Sequence, residues 1–274
     1  MLLRKGPRQR PGVLPQMIDM HCHILPGVDD GIQSLNDAVA VAKLASQGGI
    51  DTICASPHFP YRKMSDSFSD LVAAHRLLQN QIQQDAIPIR LLLWAEMLIT
   101  PELPEQLKSN PQIAIGGKKR YFLMELPFGE LPIYTESVIF QLMAAGYTPV
   151  IAHPERQFNI QKNPQLLYDL IAKGVLTQCN IGSLSARYGR ASQKCVRTLI
   201  AAQAAHIFAS DLHAVPSKQV HPLSEGFDQL KDLAGEQQAL NMVKGVPAQI
   251  IAGENISVAT PKQPKKRSWF SFGR

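Results

Sequence analysis

Short apolar segments alternate with helical patterns along most of this chain, and this alternation constrains its fold more than any other feature. Strands are predicted in the opening stretch 18–31 and at 51–57, 87–95, 120–124, 148–152, 175–180 and 206–210. Apolar residues at helical spacing predict helices over 33–47, 66–85, 101–109, 133–145, 164–173, 192–204, 227–243 and 247–252. Such alternation is typical of parallel sheets. We therefore predict an α/β fold with one domain over 17–259, a basic flexible N-terminal segment over 1–16 and a basic, aromatic C-terminal tail over 260–274.

Six of the seven predicted strands end at histidine, glutamate or aspartate. The carboxyl ends of the strands are where α/β barrels place their active sites. A doubly wound open sheet also fits the alternation, but it gathers ligands at a single switch point. Because candidate ligands follow nearly every strand, we expect a closed barrel.

The stretch IDMHCHILPGVDDG carries two histidines separated by one residue, His21 and His23. Alternate side chains of a strand point to the same face, so these two rings lie about 7 Å apart along it. Asp29 and Asp30 follow after a turn, and their spacing alone does not choose between them. Asp19 lies on the face of His21, where it either orients that ring or serves as a buried hydrogen-bond acceptor.

The candidate metal ligands are imidazoles and carboxylates at or near the predicted strand ends. They are His21, His23, Asp30, His58, Glu96, Glu125, His153, Asp211 and His213. This donor set suits Mn²⁺, Fe²⁺ or Zn²⁺. Nine donors are too many for one ion, so two or three ions are expected. Four carboxylates against three divalent ions leave a charge of about +2, which favours an anionic substrate such as a phosphate.

Such a cluster can activate water for attack on phosphorus. Arg156, three residues after His153, can clamp phosphate oxygens bidentately. The sequence therefore predicts metal-dependent hydrolysis of a phosphoester.

The net charge of +6 belongs to the two tails, because the body holds 19 basic and 22 acidic residues. A nucleic-acid-binding body is therefore not expected. The four cysteines form no CxxC pair, which indicates reduced thiols in a cytoplasmic protein. Prolines interrupt the basic N-terminus and no apolar run follows it, so no signal peptide is predicted. No apolar stretch reaches membrane-spanning length.

Several ordered motifs over about 17–245 resemble the PHP (polymerase and histidinol phosphatase) superfamily. They are IDMHCHILPGVDDG, ASPH, an isolated Glu96, MELPF, IAHPER, GSL and ASDLH. The chain is more closely similar to the CpsB/CapC/YwqE-type protein-tyrosine phosphatases of bacterial capsule and exopolysaccharide operons. This resemblance implies a distorted, TIM-like (β/α)7 barrel with a three-ion centre that typically holds manganese. It also implies an autophosphorylating bacterial tyrosine kinase as substrate and partner.

The resemblance also implies a role for each candidate ligand. His21, His23, Glu96 and Asp211 would bind one ion, Glu96, Glu125 and His153 a second, and Asp30, His58 and His213 a third. Only the family pattern favours Asp30 over Asp29. Arg156 lies in the HxER motif, whose arginine contacts phosphate. A second phosphate-contacting arginine often follows the DxH motif, but here that segment reads AVPSK and leaves Lys218 as the nearest candidate.

Three alternatives to a tyrosine phosphatase remain open at this point. They are a small-molecule phosphatase of the histidinol-phosphatase type, a PHP-type phosphodiesterase and a non-catalytic scaffold. Gly182–Ser183 either offers N–H groups to an anion or forms a plain turn. The tail KKRSWFSFGR either touches an anionic membrane surface or the partner kinase, or is a solvated end.

Overall fold

The structure, a computed structural model, describes residues 16–60, 67–115 and 120–262. The predicted N-terminal segment 1–16 and C-terminal tail 260–274 lie almost wholly outside these ranges, so their proposed roles stay predictions. Lys262, assigned to the tail from sequence, donates its backbone N–H to the Ala202 carbonyl over 2.8 Å. The chain therefore stays in contact with the body up to this residue.

The described residues form eight strands and ten α-helices that alternate over most of the chain. The strands are β1 (Met17–Cys22), β2 (Ile50–Ala55), β3 (Arg90–Leu93), β4 (Glu96–Leu98), β5 (Tyr121–Glu125), β6 (Thr148–Ala152), β7 (Leu176–Asn180) and β8 (Ile207–Ala209). The helices are α1 (Leu35–Gln47), α2 (Phe68–Gln84), α3 (Leu103–Ser109), α4 (Thr135–Ala144), α5 (Phe158–Lys162), α6 (Gln165–Ala172), α7 (Arg190–Ala201), α8 (Pro222–Ala234), α9 (Glu236–Leu240) and α10 (Val246–Ala252). Short 3₁₀ segments occur at Pro111–Ile113, Pro154–Arg156 and Ile181–Ser185, and a π-helical turn at Asn241–Gly245 links α9 to α10.

All pairings between neighbouring strands are parallel, which confirms the predicted α/β class. One sheet has the order β1-β2-β3 and the other the order β4-β5-β6-β7-β8. Parallel bridges join the two sheets on both sides, between Cys22 and Leu212 and between His58 and Glu96. The strands are thereby linked around a ring, as expected for a distorted barrel whose polar residues gather at the carboxyl ends of the strands.

The predicted strand over 87–95 is divided into β3 and β4, because the chain changes its pairing partner between them. Trp94 donates its backbone N–H to Ala55 over 3.0 Å, so β3 extends along β2. From Glu96 onward the chain pairs with β5. The prediction of a single strand over 87–95 is therefore wrong, and Glu96, which follows β3 as expected, also begins β4.

Helix boundaries follow local capping chemistry. Ser34 caps α1, since its side chain accepts the Asp37 N–H over 3.1 Å. Helix α8 begins at Pro222, five residues before the predicted start at 227, with the buried His221 as its N-cap. A proline in the first turn suits that position because its missing N–H would have had no helical partner.

Candidate metal centre

The rings of His21 and His23 meet at the carboxyl end of β1, with their Nε2 atoms 3.0 Å apart. His21 Nδ1 donates to Gln178 Oε1 over 2.7 Å, and His23 Nδ1 donates to Asp29 Oδ2 over 2.7 Å. In a neutral imidazole only one nitrogen carries hydrogen. Each Nε2 atom therefore directs a lone pair at the other.

Two carboxylates converge on the same point. Glu96 Oε2 lies 3.2 Å from His21 Nε2 and 3.3 Å from His23 Nε2. Asp211 Oδ1 lies 3.4 Å from His21 Nε2 and 3.6 Å from His23 Nε2. Four acceptors thus face one another in a buried place with no hydrogen atom between them if both histidines are neutral. Burying such groups together is costly unless a cation or proton lies among them.

A second group of donors lies beside the first. His153 Nε2 lies 3.1 Å from Glu96 Oε1 and 3.7 Å from Glu125 Oε1. His153 and Asp211 both have left-handed backbone conformations, with φ of 32° and 51°. Histidine and aspartate enter this region more readily than most residues. The sharp turn at each position follows β6 or β8 and directs the side chain into the centre.

A third group is closer to solvent. Asp30 Oδ1 lies 3.8 Å from His58 Nε2 and 3.7 Å from His213 Nε2, and its side chain is 51% exposed. Asp29 is fully buried and plays a different part. Besides holding His23, it accepts the backbone N–H groups of Gly31 over 2.9 Å and His58 over 3.0 Å. The two adjacent acids therefore differ in role, since Asp30 faces the donor group while Asp29 positions His23.

The electrostatics of the centre reflect crowding of acids and bases. Burial lowers the pKa of His153, but its hydrogen bond and charge interaction with Glu96 outweigh this and raise the pKa to about 9. Burial raises the pKa of Glu125 to about 7, and the neighbouring Glu96 adds to the increase. Burial also acts to raise the pKa of Asp211, yet His21 and His153 lower it to about 2. Glu96 and Asp211 are thus anionic at neutral pH, whereas Glu125 changes its protonation state near pH 7.

A cleft of about 350 Å³ opens onto the centre, and we call it the metal cleft. It is lined by Asp30, His58, Glu96, Glu125, Phe128, His153, Arg156, Arg187, Tyr188, Asp211, His213 and Ala214. Arg156 donates from Nη1 to Asp211 Oδ2 over 2.9 Å. Its guanidinium lies 4.6 Å from the Phe128 ring centre and 4.3 Å from that of Tyr188. Cation–π contacts with both rings hold this cation at the mouth of the cleft.

A chain of side-chain hydrogen bonds supports Asp211. Gln178 donates to Asn180 Oδ1 over 3.0 Å, and Asn180 donates to Asp211 Oδ2 over 2.6 Å. Because Gln178 also accepts the His21 N–H, this chain of hydrogen bonds fixes two candidate ligands, His21 on β1 and Asp211 after β8. Of the two predicted roles of Asp19, the contacts fit the buried hydrogen-bond acceptor. It accepts the backbone N–H groups of Ser210 over 2.9 Å and His21 over 3.4 Å, and among the described residues its hydrogen bonds do not include the His21 ring.

Comparison with known protein families shows which family the chain belongs to. The model of the family "Capsular polysaccharide synthesis, CpsB/CapC" matches residues 17–252. The chain belongs to the CpsB/CapC family. This confirms the resemblance stated from the sequence motifs, and the match spans nearly the whole predicted domain.

Individual members of the CpsB/CapC family are similar over their full length. The tyrosine-protein phosphatase YwqE of Bacillus subtilis is 33% identical, covering 93% of this chain and 100% of that protein. The putative tyrosine-protein phosphatase CapC of Staphylococcus aureus is 32% identical over the same shares. A solved chain from the crystal structures of YwqE from Bacillus subtilis and CpsB from Streptococcus pneumoniae, called unique metal-dependent tyrosine phosphatases, superposes with a TM-score of 0.82. It has 31% identity and covers 91% of this chain and 100% of its own length.

The structure brings all nine predicted ligands and Arg156 to one place, but it puts Lys218 elsewhere. Lys218 is 74% exposed and its Nζ pairs with Glu225 over 2.6 Å. Sequence reasoning missed three side chains that line the metal cleft, Phe128, Arg187 and Tyr188. Their only signal was position, since Phe128 comes shortly after β5 and the segment GSLSARY follows β7.

Proposed function

We propose that this CpsB/CapC family member is a metal-dependent protein-tyrosine phosphatase that hydrolyses phosphotyrosine to tyrosine and phosphate. The observation that carries the proposal is the convergence of four lone-pair donors. His21 Nε2 and His23 Nε2 lie 3.0 Å apart, and Glu96 Oε2 and Asp211 Oδ1 each lie 3.2–3.6 Å from both of these nitrogens. The names of the relatives support the same activity.

The donors divide into three sets, two of which share Glu96, and each set would hold one divalent ion. His21, His23, Glu96 and Asp211 form the first, Glu96, Glu125 and His153 the second, and Asp30, His58 and His213 the third. Glu96 contributes to two sets because its Oε1 faces His153 while its Oε2 faces His21. Mixed nitrogen and oxygen donors without thiolate suit Mn²⁺, with Fe²⁺ or Zn²⁺ as alternatives.

When bound, such ions supply Lewis-acid activation of water and neutralise charge on the phosphate. The protein supplies orientation. Arg156 keeps N–H groups beyond its bond to Asp211, and these can bind phosphate oxygens at the cleft mouth. Phe128 lies beside His153, with ring centres 5.4 Å apart, and Tyr188 faces the same guanidinium. These rings form apolar walls suited to the phenyl ring of phosphotyrosine.

We propose that the physiological substrate is an autophosphorylated bacterial tyrosine kinase acting in capsule or exopolysaccharide synthesis. Membership of a capsular polysaccharide synthesis family supports this partner. The acidic excess of the body supports a protein rather than a nucleic-acid substrate. A cytoplasmic location is supported by four cysteines that are all buried and unbridged. No helix in the described ranges is long and apolar enough to cross a membrane.

Metal analysis coupled to substrate comparison tests the function. Chelated protein would be reloaded with Mn²⁺, Fe²⁺ or Zn²⁺ and given a phosphotyrosine peptide, a phosphoserine peptide, histidinol phosphate and an oligonucleotide. We expect two to three ions per chain, loss of activity on chelation, recovery with Mn²⁺ and preference for phosphotyrosine. Higher kcat/KM for histidinol phosphate or for the oligonucleotide would contradict the proposal, as would full activity without metal.

A further inference from the structure

A second and larger cleft, of about 530 Å³, lies next to the metal cleft, and we call it the flank cleft. It lies between the loop after β7 and the segment after β8, and it extends to Glu225, Gly226 and Gln229 of α8. It contains none of the nine candidate ligands. Arg187 and Ala214 line both clefts, so these two residues form the wall that the clefts share.

The flank cleft carries a positive charge that the protein itself leaves uncompensated. Its charged lining residues are Arg187, Lys218 and Glu225. Lys218 and Glu225 pair over 2.6 Å, whereas no ion pair of Arg187 occurs within the described ranges. Arg187 is exposed, so its guanidinium is open to an incoming anion. An exposed ion pair such as Lys218–Glu225 is weak and can exchange.

The loop that bears Arg187 is held in place by bonds from three directions. Glu155, buried beside the metal cleft, accepts the Ser183 hydroxyl over 2.7 Å and the Asn180 N–H over 3.0 Å. The side chains of Gln193 and Gln229 both donate to Leu184 O, over 2.7 Å and 3.0 Å. The loop therefore presents Arg187 from a fixed backbone, which reduces the entropy lost when it binds an anion.

The remaining lining of the flank cleft includes an apolar part, to which Val215, Pro216 and Val220 belong. Val220 is 43% exposed although it is apolar. A cleft with an apolar part and a cation in its shared wall complements a side chain with an apolar stem and an anionic end.

We propose that the flank cleft binds an acidic residue that neighbours the phosphotyrosine in the protein substrate, with Arg187 as the specificity-determining cation. This inference rests on the proposed phosphatase function and adds the class of peptide that the site selects. An extended peptide advances about 3.3–3.6 Å per residue. Suppose that the phosphate of a peptide enters the metal cleft and that the peptide chain crosses Arg187. A residue close in sequence to the phosphotyrosine would then lie over the flank cleft.

The test compares matched phosphotyrosine peptides with glutamate, glutamine or lysine at each of the three positions on either side, together with 4-nitrophenyl phosphate. For the wild-type protein at low salt, we expect kcat/KM to be about fivefold higher with glutamate than with glutamine at the best position. High salt should reduce this ratio, because exposed charges are screened. In Arg187→Gln the ratio should fall to about one, and in Arg187→Glu the lysine peptide should be preferred.

Arg190→Gln is the matched control, since Arg190 is an exposed arginine three residues away that lines neither cleft. It should keep the glutamate preference. A preference that survives in Arg187→Gln overturns the inference. The inference is also overturned if Arg187→Gln lowers kcat/KM equally for every peptide and for 4-nitrophenyl phosphate. That result would mean that Arg187 contacts the transferred phosphate. Failure of the phosphatase function is separate, since wild-type protein would then hydrolyse no phosphotyrosine peptide.

Discussion

Replacement of Asp29 by asparagine should damage the metal centre without removing a ligand. Asp29 is fully buried and its carboxylate accepts three N–H groups, of which the shortest bond is 2.7 Å to His23 Nδ1. Asparagine keeps the shape but has an amide NH₂ in place of one oxygen. If that NH₂ faces His23, Nδ1 must become the acceptor, and the ring proton moves to Nε2. The His23 lone pair is then lost from the centre.

Two magnitudes follow from these contacts. A hydrogen bond to a charged partner contributes about 1.5–3 kcal/mol, so the free energy of unfolding of the metal-free protein should fall by about 2 kcal/mol. Loss of a group that orients a metal ligand typically lowers metal affinity or activity by about 10- to 100-fold. Asp30→Asn is the matched comparison, because Asp30 is half-exposed. It should change the free energy of unfolding by less than about 0.5 kcal/mol while still lowering metal content.

Three measurements separate the two variants. Urea unfolding of metal-free protein gives the free energy, metal titration gives the affinity, and histidine ¹⁵N chemical shifts report which ring nitrogen carries the proton. The reasoning is refuted if Asp29→Asn unfolds like the wild type and His23 keeps hydrogen on Nδ1. It is also refuted if Asp30→Asn is the variant with the larger loss of stability.

Three further variants test other parts of the structure. Glu96→Gln should lower the metal affinity of the two donor sets that contain Glu96, and with it phosphotyrosine hydrolysis, by more than about 100-fold. Metal titration with circular dichroism distinguishes this from unfolding. Arg156→Lys should raise KM for a phosphotyrosine peptide about tenfold, since lysine lacks the planar guanidinium that binds two phosphate oxygens. An unchanged KM in steady-state assays would exclude the phosphate contact. Burial lowers the pKa of His206 to about 4 from 6.5, so the unfolded state binds the proton more tightly. About 3 kcal/mol of stability should then be lost between pH 6.5 and 4. Denaturant unfolding of His206→Asn should lack this part of the loss, and identical pH profiles would contradict the assignment.

The alternation of strands and helices and eight of the nine candidate ligands could be predicted from the sequence because both follow from simple geometry, whereas the choice of Asp30 over Asp29 needed the family pattern. Alternating strands and helices specify a parallel sheet, and the carboxyl ends of parallel strands gather at one edge. His58, Glu125 and His153 are separated by up to 95 residues in sequence, yet each lies at or just beyond such an end. Their convergence could therefore be predicted without knowing how the side chains pack.

Other features depend on contacts that one sequence does not encode visibly. The role of Asp29 depends on which way its side chain turns after the loop, and alternation does not extend into a turn. The break at Trp94 arises because the chain leaves β2 to pair with β5, a tertiary event. Arg187 was missed because it stands out only by lining both clefts, which the sequence does not reveal. Lys218, in contrast, was chosen for its position along the chain.

The left-handed backbone at His153 and Asp211 has a consequence for protein engineering. At each position the backbone needs a residue that tolerates positive φ, and the centre needs a donor atom. Glycine satisfies the first requirement without the second, since it has no Cβ to strain the turn. Replacing both residues by glycine should therefore give a folded protein that lacks two donors, and such a variant is a starting point for a reagent that captures phosphorylated peptides without cleaving them.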